Sequence, residues 1–140
     1  MYGQALSAYK KSAVNTIQDP QRLIKMLFEK AIVELNLAKD SFHEPRRLSQ
    51  HLGKVIAIVG ELQSGLNFEK GGEAAQFLYG LYGAMIRELS KVDGSDEGQV
   101  GTLDLAQRYL AELKRIWAEQ VLHQTPPEEK KGAEAQVANL

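Results

Sequence analysis

Residues 19–43, DPQRLIKMLFEKAIVELNLAKDSFH, decide how this chain folds. Asp19 is a good N-cap and Pro20 suits the first helical position, so a helix begins here. Leu23, Leu27, Ala31, Leu35, Ala38 and Phe42 then recur at helical spacing, with Ile24, Phe28 and Ile32 beside them. A stripe this apolar has to pack against other elements. The helix ends near His43, before the turn at Glu44-Pro45.

The same period continues downstream. A second helix is expected from Pro45 to about Phe68, with Leu48, Leu52, Val55, Val59, Leu62 and Leu66 as its stripe. A third runs from about Gly72 to Val92 on Leu78, Tyr82, Met85, Ile86 and Leu89. The loop Asp93-Gly94-Ser95-Asp96 separates it from a fourth, about 97–123, carrying Leu103, Ala106, Leu110, Leu113, Trp117 and Val121. No segment alternates with period two and β-branched enrichment, which argues against a sheet. The fold class that follows is all-α: an antiparallel four-helix bundle over residues 19–123. Residues 1–18 form an N-terminal amphipathic segment, in which Tyr2, Leu6, Tyr9 and Ala13 share a face too short to be a stable helix alone. Residues 124–140, with Pro126-Pro127 and the charged run Glu128 to Lys131, have little to bury and are expected to be a disordered tail.

Whole-chain quantities exclude several functions. The 140 residues suffice for one domain, 44% hydrophobic and 25% charged. A net charge of −1 with no basic stripe argues against a nucleic-acid partner. No apolar run reaches membrane-spanning length, which argues against membrane insertion. The absence of cysteine removes disulfides and thiolate chemistry, and it fits a cytoplasmic location.

Two features are unusual for a plain bundle. Val55-Ile56-Ala57-Ile58-Val59 is an unbroken apolar run, with Ile56 and Ile58 at the edges of a stripe about 160° wide. On the third helix Tyr79 and Leu81 mark the edges, and Phe77 lies beyond the Leu81 edge. Small residues also fall in bands: Gly53, Ala57, Gly60 and Ser64 on the second helix, Gly80 and Gly83 on the third. Either these helices are central and touch neighbours on two sides, or an edge of each stripe lines an exposed groove for a partner helix. The second reading makes Ile56, Ala57, Ile58, Gly60, Phe77 and Tyr79 candidate partner-binding residues.

Catalytic and cofactor sites find little support. His43, His51 and His123 lack the spacing of a zinc or di-iron set, so no metal and no cofactor is expected. Gly71-Gly72 lacks the remaining residues of a phosphate loop and reads as a tight helix connection. The chain therefore reads as a binding protein and not an enzyme.

A family resemblance sharpens this. Tyr9, Ser12-Ala13-Val14-Asn15-Thr16, Asp19-Pro20, Met26-Leu27-Phe28-Glu29, and above all Leu66-Asn67-Phe68-Glu69-Lys70-Gly71-Gly72-Glu73 followed by Leu78-Tyr79, Leu81-Tyr82 and Met85 resemble the flagellar secretion chaperone FliS family. Leu110, Leu113 and Trp117 close the pattern, which spans roughly residues 5–122. Asp19-Pro20-Gln21-Arg22 departs from the family's usual capping box, and Gly83-Ala84 replaces a bulkier pair. The resemblance implies a cytoplasmic flagellar export chaperone. Such a protein binds the C-terminal segment of flagellin, prevents premature polymerisation and aids delivery to the export gate. It adds Tyr9 and Tyr82 to the candidate partner-binding residues. The competing reading is a self-associating structural bundle, and the sequence leaves monomer and homodimer both open.

Overall fold

A computed structural model of the chain describes residues 20–122. The expectations for the N-terminal segment, the Asp19 cap, His123 and the tail fall outside the described residues. Four helices follow one another: α1 Pro20–Asp40, α2 Pro45–Ser64, α3 Phe68–Leu89 and α4 Gln99–Leu122. No strand occurs among the described residues. Each helix packs against its two neighbours in a ring, while α1 and α3, and α2 and α4, lie across the diagonals. Along the α1–α4 seam Glu29 meets Lys114, Asn36 bonds Gln107 and Lys39 pairs with Asp104. Rising numbers meet falling ones, so the two helices run antiparallel.

Local chemistry sets the boundaries. Pro45 opens α2 at a position where its missing N–H is not needed. The α2 end comes at Ser64, earlier than the expected Phe68, because Asn67 starts a new helix: its side-chain oxygen accepts the Lys70 N–H at 3.0 Å. α3 therefore begins four residues before the Gly72 expected from sequence. It bends at Gly72, whose φ of 55° and ψ of −132° suit glycine alone.

The loop between α3 and α4 is tied down by Gln99. Its side-chain oxygen accepts the N–H groups of Asp93 and Gly94, at 3.1 and 2.9 Å, and its amide donates to Asp93 Oδ1. Asp93 Oδ1 also accepts from Ser95, and these hydrogen bonds hold the carboxyl below the usual range. The loop presses on the α1–α2 turn. A Cβ on Gly94 would lie 2.8 Å from the Phe42 carbonyl oxygen, and Gly94 has φ of +84°.

The interior is built from the expected stripes. Leu35, Leu48, Val55, Val59, Leu89, Leu103 and Leu110 are fully buried. Burying each such side chain stabilises the fold by about 1.5–3 kcal/mol relative to exposure.

One charged group joins this interior. Glu34 on α1 has a side chain only 2% exposed. His51 Nδ1 lies 2.7 Å from its Oε2, Lys30 Nζ 3.1 Å from its Oε1, and Lys54 Nζ 3.9 Å from the same oxygen. Burial raises the Glu34 pKa, but the His51 and Lys30 hydrogen bonds and the Lys30 and Lys54 charges outweigh it, so the net direction is down. His51 and Lys54 stand on α2, so one carboxylate clamps the two helices that share the broadest contact in the bundle.

Two stability outcomes follow. A carboxyl with a lowered folded-state pKa contributes stability above its unfolded pKa and loses that contribution as pH falls through the folded value. Glu34→Gln is therefore expected to cost about 2 kcal/mol at neutral pH, with the gap from wild type closing below about pH 4, in urea melts across pH. Gly94→Ala is expected to cost about 1–3 kcal/mol in the same assay, from strain at positive φ and the clash with Phe42.

Candidate partner-binding surface

Helix phase and the side-chain contacts between helices together show which way each edge faces. On α2, His51 and Lys54 reach α1, so the opposite edge, with Ile56 and Gln63, faces α3. Gln63 Nε2 donates to the Tyr79 carbonyl at 3.0 Å, which marks the α2 side of α3. The other edge of α3, marked by Leu81, faces α4, and Phe77 lies beyond that edge, in solvent. On α4, Asp104, Gln107 and Lys114 reach α1, so Leu105, Tyr109 and Ile116 lie toward α3.

The α3–α4 pair has the narrowest contact in the ring. Large apolar side chains stand exposed beside it. Phe77 is 70% exposed, and Leu105, Tyr109 and Ile116 are each about two-fifths exposed. Tyr79 is exposed on the α2 side of the same helix, its ring centroid 5.6 Å from that of Phe68. α3 thus carries an uncovered aromatic near each edge.

The candidate residues named from sequence separate into groups. Phe77 and Tyr79 are exposed. Ile56, Ala57 and Gly60 are half-buried on the α3-facing side and the back of α2. Ile58 lies on the α1-facing side of α2 and is buried, and Tyr82 points into the core. Burial pushes the Tyr82 hydroxyl pKa well above its ordinary value. Neither Ile58 nor Tyr82 offers a face to a partner while the bundle is closed. Tyr9 lies outside the described residues.

The glycine bands do not act uniformly. A Cβ on Gly83 would meet the Gln63 side chain at 3.2 Å, whereas Gly60 and Gly80 have nothing within 4 Å. Of these three, close helix packing explains Gly83, while Gly60 and Gly80 border open space. Leu105, Tyr109 and Ile116 were not among the sequence candidates. Their spacing of four and seven residues is a second apolar stripe, visible once the main α4 stripe is set aside. Among the described residues no set of three His, Asp or Glu converges as metal ligands. No described helix is long and apolar enough to cross a membrane.

This geometry defines a helical bundle with an incompletely covered apolar side. The chain belongs to the FliS family: it matches the family described as flagellar protein FliS over residues 2–125. It is 30% identical over 130 residues to the flagellar secretion chaperone FliS of Vibrio cholerae, covering 89% of this chain and 90% of that one. It is 29% identical over 119 residues to the flagellar secretion chaperone FliSB of Pseudomonas aeruginosa, covering 81% of this chain and 93% of the relative. A Campylobacter jejuni flagellar secretion chaperone FliS is 35% identical over 88 residues, 61% of this chain and 68% of that one.

Gly60 separates folding from surface shape. Gly60→Ala has room for its Cβ and replaces a helix-interior glycine, so it is expected to raise stability by about 0.5–1 kcal/mol in thermal or urea melts.

Proposed function

We propose that this chain is a cytoplasmic flagellar export chaperone that holds the C-terminal segment of flagellin along the two edges of α3. The observation that carries this reading is the exposure of Phe77 and Tyr79 near opposite edges of one helix, beside the narrow α3–α4 contact. The names of the relatives, flagellar secretion chaperones, supply the class of cargo pathway.

A flagellin terminus that is disordered alone folds as amphipathic helix on such a surface, and apolar burial offsets its ordering cost. On the α3–α4 side, Phe77, Leu105, Tyr109 and Ile116 receive its apolar face. On the α2–α3 side, Ile56, Ala57, Gly60 and Tyr79 border a shallower channel in which the glycine leaves room for a backbone. Tyr82 supports these surfaces from beneath, whereas Ile58 packs toward α1 and takes no part in them. Covering the cargo's apolar stripe removes the surface it needs for filament assembly, so premature polymerisation stops. The loaded complex is then delivered to the export gate, with Tyr9 as a contact to cargo or gate. Binding and release account for this activity with no chemical turnover.

The test is co-purification of the full chain with full-length flagellin and with flagellin lacking its C-terminal segment. Retention of the full-length form alone, with Phe77→Asp weakening it at least about tenfold and Gly60→Leu weakening it in a folded protein, is the expected result. Equal retention of both flagellin forms contradicts the assignment to the C-terminal segment. No retention of either, with Phe77-dependent self-association, favours a structural bundle.

A further inference from the structure

Trp117 on α4 carries a polar atom that the bundle buries and does not serve. The side chain is 9% exposed, and among the described residues no group accepts a hydrogen bond from its Nε1–H. Glu34, buried more deeply, has His51 and Lys30 as partners. A buried donor without an acceptor destabilises a fold, and phenylalanine would fill much of the same space with no donor to satisfy.

Its place in the fold connects this donor to the exposed α4 stripe. The Lys114–Glu29 contact sets the last turns of α4 beside the first turns of α1, so Trp117 lies at the end of the bundle where α1 begins and α2 passes into α3. The core is thinnest there. Leu35, Leu48, Leu89 and Leu103, in the middle and at the other end, are fully buried, whereas Ile24, Leu66, Leu78 and Leu113 at the Trp117 end are only partly covered. Ile116, next to Trp117 in the chain, is the last exposed residue of the stripe that includes Leu105 and Tyr109. An amphipathic helix laid along that stripe brings one of its ends to Trp117. The two ends of a helix differ chemically: the first four N–H groups lack partners at one, the last four carbonyls at the other. An indole N–H only donates, so it serves the carbonyl end alone.

We propose that Trp117 anchors the C-terminal end of a cargo helix, its Nε1–H donating to one of the last free carbonyls, so that the cargo helix runs parallel to α4. The proposal rests on the flagellin reading of the α3–α4 surface and adds to it an anchor and a polarity. The carbonyl reaches the N–H by displacing part-covered side chains such as Leu78 and Leu113, with no helix unfolded.

Trp117 is the one tryptophan of the chain, so its indole N–H gives a single resonance in the proton–nitrogen spectrum of the full protein. The probe is a tryptophan-free peptide of one amphipathic helix from the flagellin C-terminal segment, carrying a nitroxide at either its N-terminal or its C-terminal end. The expected result is a downfield shift of the indole proton on saturation, with broadening by the C-terminal nitroxide and none by the N-terminal one. Trp117→Phe, checked for native helicity, is expected to weaken peptide affinity about tenfold. Peptide that binds the wild-type chain and leaves the indole resonance unmoved overturns the proposal while the flagellin reading stands, and this readout needs no variant to fold. Broadening by the N-terminal nitroxide alone overturns it too, as does unchanged affinity in folded Trp117→Phe. A wild-type chain that does not bind the peptide contradicts the flagellin reading and the proposal with it.

Discussion

The register of α1 against α2 depends on one buried carboxylate. A buried ion pair gives no assured gain over a well-packed apolar pair, because desolvation opposes the attraction. What Glu34 adds is selectivity. Only one alignment of the two helices gives it His51 at 2.7 Å and Lys30 and Lys54 on its other oxygen, and any slip leaves a charge buried without partners. With α1 and α2 so fixed, α4 closes along α1 through the polar seam from Glu29–Lys114 to Lys39–Asp104. α3 is fixed from the α2 side, where Gln63 grips the Tyr79 carbonyl. The remaining seam, α3 against α4, has no comparable fastening among the described residues and is the narrowest.

That asymmetry links packing to function. A bundle closed equally on all four sides would bury its aromatics, and a partner would have to break a core to bind. Here three seams supply stability, and the fourth keeps Phe77, Leu105, Tyr109 and Ile116 partly in water. Leaving such side chains exposed costs solubility, a cost consistent with a surface kept for cargo. The kink at Gly72 adds to this by turning the first residues of α3 away from ideal helix, next to the Phe68–Tyr79 ring pair. The Leu-Asn-Phe-Glu-Lys-Gly-Gly-Glu block that carries the family resemblance is thus a cap, a short turn and a bend at one end of α3.

Much of the fold was legible in the sequence because its signals are local. Pro20 and Pro45 mark helix starts, and the stripes on Leu35, Val59 and Leu110 lie where the structure buries them. The start of α3 was misplaced because Gly71-Gly72 resembles a linker, whereas the Asn67 cap outweighs two glycines and carries the helix through them with a bend. The surface was half legible. Periodicity finds the edges of a stripe but does not say which neighbour covers each edge. Ile56 and Ile58 are equivalent by that criterion, yet α1 covers Ile58. The outer stripe on α4 was overlooked for a related reason: once one apolar face is assigned to a helix, Leu105 and Ile116 look like scattered surface residues. The Glu34 clamp joins residues 17 to 20 positions apart and has no sequence signature at all.

The central claim is that this family member carries flagellin on the α3 side of a bundle whose α1–α2 core stays closed. Amide hydrogen exchange of the full chain, free and saturated with a flagellin C-terminal peptide, tests it directly. The account predicts slowed exchange in α3 and in the segments of α2 and α4 that flank it, with the α1–α2 interface around Glu34 unchanged. Protection confined to the outer face of α1, or exchange unaltered by saturating peptide, would contradict it.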